Sequence, residues 1–118
     1  MRGRAGPVAR ARPVVHLEVQ DAVVGGTHTL RPIGELDLAS APHLHRIIES
    51  VQLAGANTVT IDLADVTFMD CCGLRAVLRG GDFRDFTLLP GAGQARRLLE
   101  VLGLLDLLPV PPSYKLGL

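Results

Sequence analysis

Apolar residues gather first in two short runs, Val14 to Val19 and Thr27 to Ile33, separated by Asp21 and the dipeptide Gly25-Gly26. Two such runs joined through Gly-Gly predict an antiparallel pair of strands. Pro32 has no N–H to give to a ladder, so the second strand is expected to end near it or to lie at a sheet edge there. The period then changes. Leu44, Ile47, Ile48 and Val51 recur at helical spacing and predict an amphipathic helix lying on a core. Ser40 is the expected N-cap, Pro42 suits the first turn, and Gly55 closes the helix. Thr58 to Leu63 reads as a strand with Val59, Ile61 and Leu63 on one face. Residues 64–85 must cross over to a last strand at Phe86 to Leu89, and a crossover of that length holds a helix. Leu74, Ala76, Val77 and Leu78 supply it, and Gly80-Gly81 stops it. A final helix from about Gly93 to Leu102 carries Ala95, Leu98, Leu99 and Leu102 on one stripe. The order β-β-α-β-α-β-α implies an α/β fold, an open mixed sheet of about four strands with helices packed against it. Leu44, Ile48, Val59, Ile61, Leu98 and Leu102 are expected to share one buried cluster.

Composition narrows the class. The 118 residues suffice for one domain, expected at 14–108, between an arginine-rich arm at 1–13 and a tail at 109–118 bearing Pro109, Pro111 and Pro112. Three Phe, one Tyr and no Trp make the core aliphatic and leave few rings for stacking on bases. Twelve basic and twelve acidic groups cancel, so no overall field draws the chain to nucleic acid or anionic lipid. The balance is uneven, because Arg2, Arg4, Arg10 and Arg12 leave eight basic against twelve acidic groups in the remainder. Cys71 and Cys72 are adjacent, which suits a reducing compartment better than a disulfide framework, and a cytoplasmic location is expected. No apolar run reaches the roughly 20 residues of a membrane span, and no apolar stretch follows the leading arginines as in a secretory signal.

The chemistry concentrates in Thr67-Phe68-Met69-Asp70-Cys71-Cys72-Gly73-Leu74, after a strand and at the opening of a helix. Asp70 can cap that helix, and the small residues at 71–73 keep the turn open. The two thiols read first as small, partly buried side chains, and a depressed thiol pKa at a helix start is the competing idea. His43 and His45 face different sides of their helix, and His16 and His28 lie on separate strands, so no metal cluster is expected. No phosphate-binding glycine loop or nucleophile elbow is present, so neither a cofactor nor enzymatic catalysis is expected.

Gly34-Glu35-Leu36-Asp37, the element Val66-Thr67-Phe68-Met69-Asp70-x-x-Gly73-Leu74 and the closing Leu102-Gly103-Leu104 resemble a STAS domain of the anti-sigma-factor antagonist type. The resemblance covers about residues 14 to 110. It implies a bacterial regulator of transcription that works by partner switching: it binds an anti-sigma factor, a serine kinase of the GHKL ATPase type, and so frees a sigma factor. It places partner binding at Asp37, Asp70, Cys71, Cys72 and Gly73. The kinase of such a pair phosphorylates the hydroxyl residue directly after the motif's aspartate, and the matching position here is Cys71. A thiol is no ordinary acceptor for a serine kinase, so this chain is expected to escape that modification. The segment between Gly73 and Pro90 is shorter than in the relatives by roughly two helical turns of about 3.6 residues. A homodimer is left open, as are two other readings: the STAS subunit of a lipid-transport ABC system, and a thiol redox sensor using Cys71.

Overall fold

Gly25 and Gly26, with φ of 59° and 82°, form the two-residue turn that right-twisted strands favour. A tight turn keeps its strands paired up to its corners, so β1 (Leu17–Val24) and β2 (Thr27–Leu36) are antiparallel with Val24 opposite Thr27. The first strand therefore runs through Asp21, beyond the expected Val19, while Val14 and the whole 1–13 arm lie outside the described residues. The computed structural model describes residues 16–115.

The chain continues through α1 (Ala41–Leu53), β3 (Thr58–Asp62), β4 (Val66–Met69), α2 (Cys71–Val77) and a 3₁₀ turn at Leu78–Asp82. It ends in β5 (Asp85–Leu89), α3 (Gln94–Val101) and a short α4 (Pro112–Lys115). The fold class is the expected one, an open mixed sheet with helices packed against it. The sheet order is β1-β2-β3-β5, and β4 is a fifth strand that pairs in parallel with the end of β2. It escaped the reading of residues 64–85 because its four residues show no alternation: Val66 and Met69 are buried while Thr67 and Phe68 are exposed.

β2 is also longer than expected, passing straight through Pro32 to Leu36. In the β1–β2 ladder, Glu35 donates to the His16 carbonyl at 2.8 Å, and bonded pairs alternate with unbonded ones from there. Pro32, opposite Val19, falls in an unbonded pair, so its missing donor would point to the other edge of β2. On that edge β3 pairs only as far as Leu30 and β4 begins only at Gly34. The proline occupies the gap between two partners, where no donor is needed. A register shift follows at Gly34/Glu35, and Gly34 takes φ 115°, where a Cβ would lie 2.2 Å from the His16 carbonyl oxygen.

One sheet face meets the helices. Leu30, Pro32, Val59, Ile61 and Leu88 are buried there with Leu44 and Ile48 of α1. The alternate positions Thr27, Thr29, Thr58, Thr60 and Thr87 are half-exposed and neighbour one another across strands. Of the expected cluster, Leu98 is only partly buried and Leu102 is 45% exposed. The reason is the rotation of α3, which turns Ala95, Leu99 and the stem of Arg96 inward and ends before Leu102. The Arg96 guanidinium donates to the Tyr114 carbonyl, Leu88 donates to the Pro109 carbonyl at 3.0 Å, and Val110 is buried. The proline-bearing segment after residue 108 is thus anchored along β5 and α3.

Ile61→Ala should cost about 2–5 kcal/mol, because a closed site leaves a cavity. Leu102→Ala should change stability by no more than about 0.5 kcal/mol. Urea unfolding midpoints of the two variants check both expectations.

Candidate functional site

The site is built where β2 and β4 end side by side. Gly73 makes it feasible: a Cβ there would lie 2.0 Å from the Leu36 carbonyl oxygen, so only glycine lets the first turn of α2 rest on the end of β2. Asp70 precedes that turn. Its Oδ1 accepts from the Gly73 N–H at 2.9 Å, the capping bond expected of it, and its backbone N–H donates to the Leu36 carbonyl at 3.3 Å. Its Oδ2 accepts from the Leu38 N–H at 3.3 Å. One carboxylate therefore joins the turn after β2 to the helix after β4.

Asp37 organises the other turn. Its Oδ1 accepts from the N–H groups of Ala39 and Ser40 at 3.0 and 3.1 Å, and its carbonyl accepts from Ala41 at 2.7 Å. Ser40 occupies the N-cap position of α1 as expected, but its side chain makes no capping bond. Its hydroxyl donates back to the Glu35 carbonyl at 2.7 Å and accepts from the Asp37 N–H at 3.0 Å. Burial selects this arrangement, since Ser40 is closed to solvent and its hydroxyl must be satisfied within the turn.

The sequence-derived candidates Asp37, Asp70, Cys71, Cys72 and Gly73 thus lie on two adjoining turns. Cys71 is exposed at the first position of α2, Cys72 is half-buried, and Gly73 is buried. Two apolar side chains that residue chemistry did not single out complete the surface: Leu38 is 71% exposed and Phe68 43% exposed. A leucine isolated in a polar turn and a phenylalanine inside the Thr-Phe-Met-Asp element were the available signals. Among the described residues, no group of three or more His, Cys, Asp or Glu side chains is placed to hold a metal ion. No helix among them is long and apolar enough to cross a membrane. The arrangement offers a surface of two committed carboxylates, two outward apolar side chains and one accessible thiol.

Gly73→Ala should destabilise the protein by about 1–3 kcal/mol or more, because α2 must move off β2. Cys71→Ala, two positions away and exposed, should stay within about 0.5 kcal/mol. Thermal melts of both variants separate the close approach at Gly73 from the effect of changing an exposed side chain on the same turn.

The fold recurs in known structures. An anti-sigma factor antagonist from Mycobacterium paratuberculosis superposes with a TM-score of 0.72 at 24% identity, covering 86% of this chain and 92% of that one. The Bacillus cell fate determinant SpoIIAA in its phosphorylated form gives 0.59 at 22% identity, over 80% of this chain and 88% of that one. The anti-sigma factor antagonist SpoIIAA in its unphosphorylated form gives 0.56 at 22% identity, over 71% and 81%. No curated protein matches by sequence. A family model does match, over residues 18–80, which contain both site turns, α1 and α2. The chain belongs to the STAS domain family.

Proposed function

We propose that this STAS domain, taken as residues 14–108, acts as an anti-sigma-factor antagonist. In this reading it is a non-catalytic cytoplasmic regulator that binds an anti-sigma factor of the GHKL-type serine kinase class. The contact surface is the pair of turns holding Asp37 and Asp70, with Leu38, Phe68, Cys71, Cys72 and the Gly73 turn. The observation that carries this reading is the double commitment of Asp70. By bonding both Leu38 and Gly73, it presents an apolar side chain and the residue after the motif's aspartate on one rigid surface. Rigid presentation lowers the ordering cost of association. A protein of the same fold, SpoIIAA, is known in phosphorylated and unphosphorylated forms.

Control by phosphate is absent from this reading. A phosphate at position 71 would add close to two negative charges beside the Asp70 carboxylate and oppose docking. Cys71 offers sulfur where the transfer needs a hydroxyl oxygen, so the wild-type protein stays competent to bind in the presence of ATP.

Leu38→Ser is the cleanest test of the surface, since an exposed side chain contributes little to the fold. It should leave the melting temperature unchanged and weaken the complex with a cognate anti-sigma kinase tenfold or more, about 1.4 kcal/mol. Asp37→Ala and Asp70→Ala should also weaken it, with a loss of stability of about 1 kcal/mol to be subtracted in the Asp70 case. Titration calorimetry showing all three variants binding like wild type would remove this surface from the interface. A second measurement concerns residue 71: mass spectrometry after incubation with the kinase and ATP should find no phosphate there in the wild type and phosphate in Cys71→Ser.

A further inference from the structure

A cleft beside the proposed partner surface shares Leu38 and Cys72 with it. It is an open cleft of about 300 Å³ between α1 and α2, lined by Leu38, Ala41, Pro42, His45, Cys72, Arg75, Ala76 and Arg79. That volume is at the small end of the range for ligand pockets, roughly 300–1,000 Å³. The lining divides by chemistry. Leu38, Ala41, Pro42 and Ala76 supply the aliphatic lining, Arg75 of α2 and Arg79 of the following 3₁₀ turn supply the cations, and no carboxylate lines the cleft.

The cations there are available. Arg75 has no ion-pair partner among the described residues, and Arg79 has only Asp82 at 3.5 Å, both half-exposed and i,i+3 on the same turn. Such a pair is weak and exchangeable. His45 adds an unmet requirement: its Nε2 is buried without a hydrogen-bond partner, the one such side-chain atom among the described residues. Buried polar groups are nearly always paired, so the ring beside the cleft is a polar group without its usual bond.

We infer that this cleft binds a small amphipathic anion, a carboxylate or phosphate monoester on a short aliphatic body. Its head is held by Arg75 and Arg79. Arginine suits both heads, because its planar fork donates two parallel bonds to either oxygen pair. The aliphatic body covers Leu38 and Ala76. Leu38 is shared with the proposed partner surface, so an occupied cleft alters the same side chain that the partner would meet. The site itself stands independently of that reading.

The test uses the full chain and no partner protein. In an amide-resolved NMR titration, octanoate and octyl phosphate are the probes, and octanol and acetate are the controls lacking head charge and body respectively. Saturable shifts at Leu38, Cys72 and Ala76 are expected with either probe, and neither control should saturate. Arg75→Gln with Arg79→Gln, both on exposed positions, should weaken probe binding tenfold or more while leaving the melting temperature unchanged. Bound probe should also slow iodoacetamide alkylation of Cys72 while Cys71 reacts at its free rate. Octanol binding as tightly as octanoate, an unaffected double variant, or an unprotected Cys72 would each overturn the assignment.

Discussion

The contact between Gly73 and the carbonyl of Leu36 is the constraint from which the functional end of this domain is built. Leu36 is closed to solvent at the end of β2, and its carbonyl receives the Asp70 N–H. With no side chain at 73, the first turn of α2 comes down onto that strand end. The proximity is what brings the Asp70 carboxylate within reach of both the Gly73 and the Leu38 N–H groups. A bulkier residue would push strand and helix apart and strain both the capping bond and the tether to Leu38. Local sequence and tertiary packing meet in this one glycine.

Satisfaction of backbone donors then explains why the surface has the composition it has. Asp37 and Asp70 are the acids most easily taken for contact groups, yet Asp37 accepts from its own turn, and Asp70 accepts from its own turn and from the Leu38 N–H of the other. Asp37 shapes one turn, and Asp70 shapes the other and ties the two together. What remains facing outward is Leu38, Phe68 and the Cys71 thiol. Exposed apolar side chains beside rigid polar turns are the usual anatomy of a contact patch, with the apolar part supplying affinity and the carboxylates supplying geometry. On the other side of Leu38 the character changes to the cationic walls of the α1–α2 cleft. One exposed leucine therefore separates an acidic surface from a basic one.

The short α2 also has a physical place in this arrangement. It spans only Cys71–Val77, and the chain then tightens into the 3₁₀ turn Leu78–Asp82. A Cβ on Gly80 would lie 2.5 Å from the Phe86 ring, so the tightened turn packs directly on one of the few aromatic side chains. A core this poor in rings depends on such close approaches, because aliphatic side chains alone must fill the space between sheet and helices. The same economy appears at the C-terminal end, where the buried Arg96 holds the Tyr114 carbonyl and draws the last described turn onto the domain.

Much was legible in the sequence because it depends on neighbours along the chain. The Gly25-Gly26 hairpin, the apolar stripe of α1, the inward face of β3, and the capping of α2 by Asp70 all follow from spacing and side-chain type within a few residues. The motif around Asp70 likewise pointed to the family before any coordinates. Other features were decided only by what the chain meets after folding. Pro32 sits within a central strand because two different partners happen to end and begin around it. β4 exists as a strand because the end of β2 offers an unpaired edge, not because four residues with an unalternating pattern demand it. Ser40 turned from its expected capping role because burial made the Glu35 carbonyl its partner. Leu102 faces out because the rotation of α3 is set by packing on β4, where Ala95 and Leu99 fit. The cleft, too, joins His45 of α1 with Arg75 of α2 and Arg79 of the 3₁₀ turn, residues that no periodicity links. Periodicity reports which side of an element is apolar, whereas the partner met by that side depends on contacts distant in sequence.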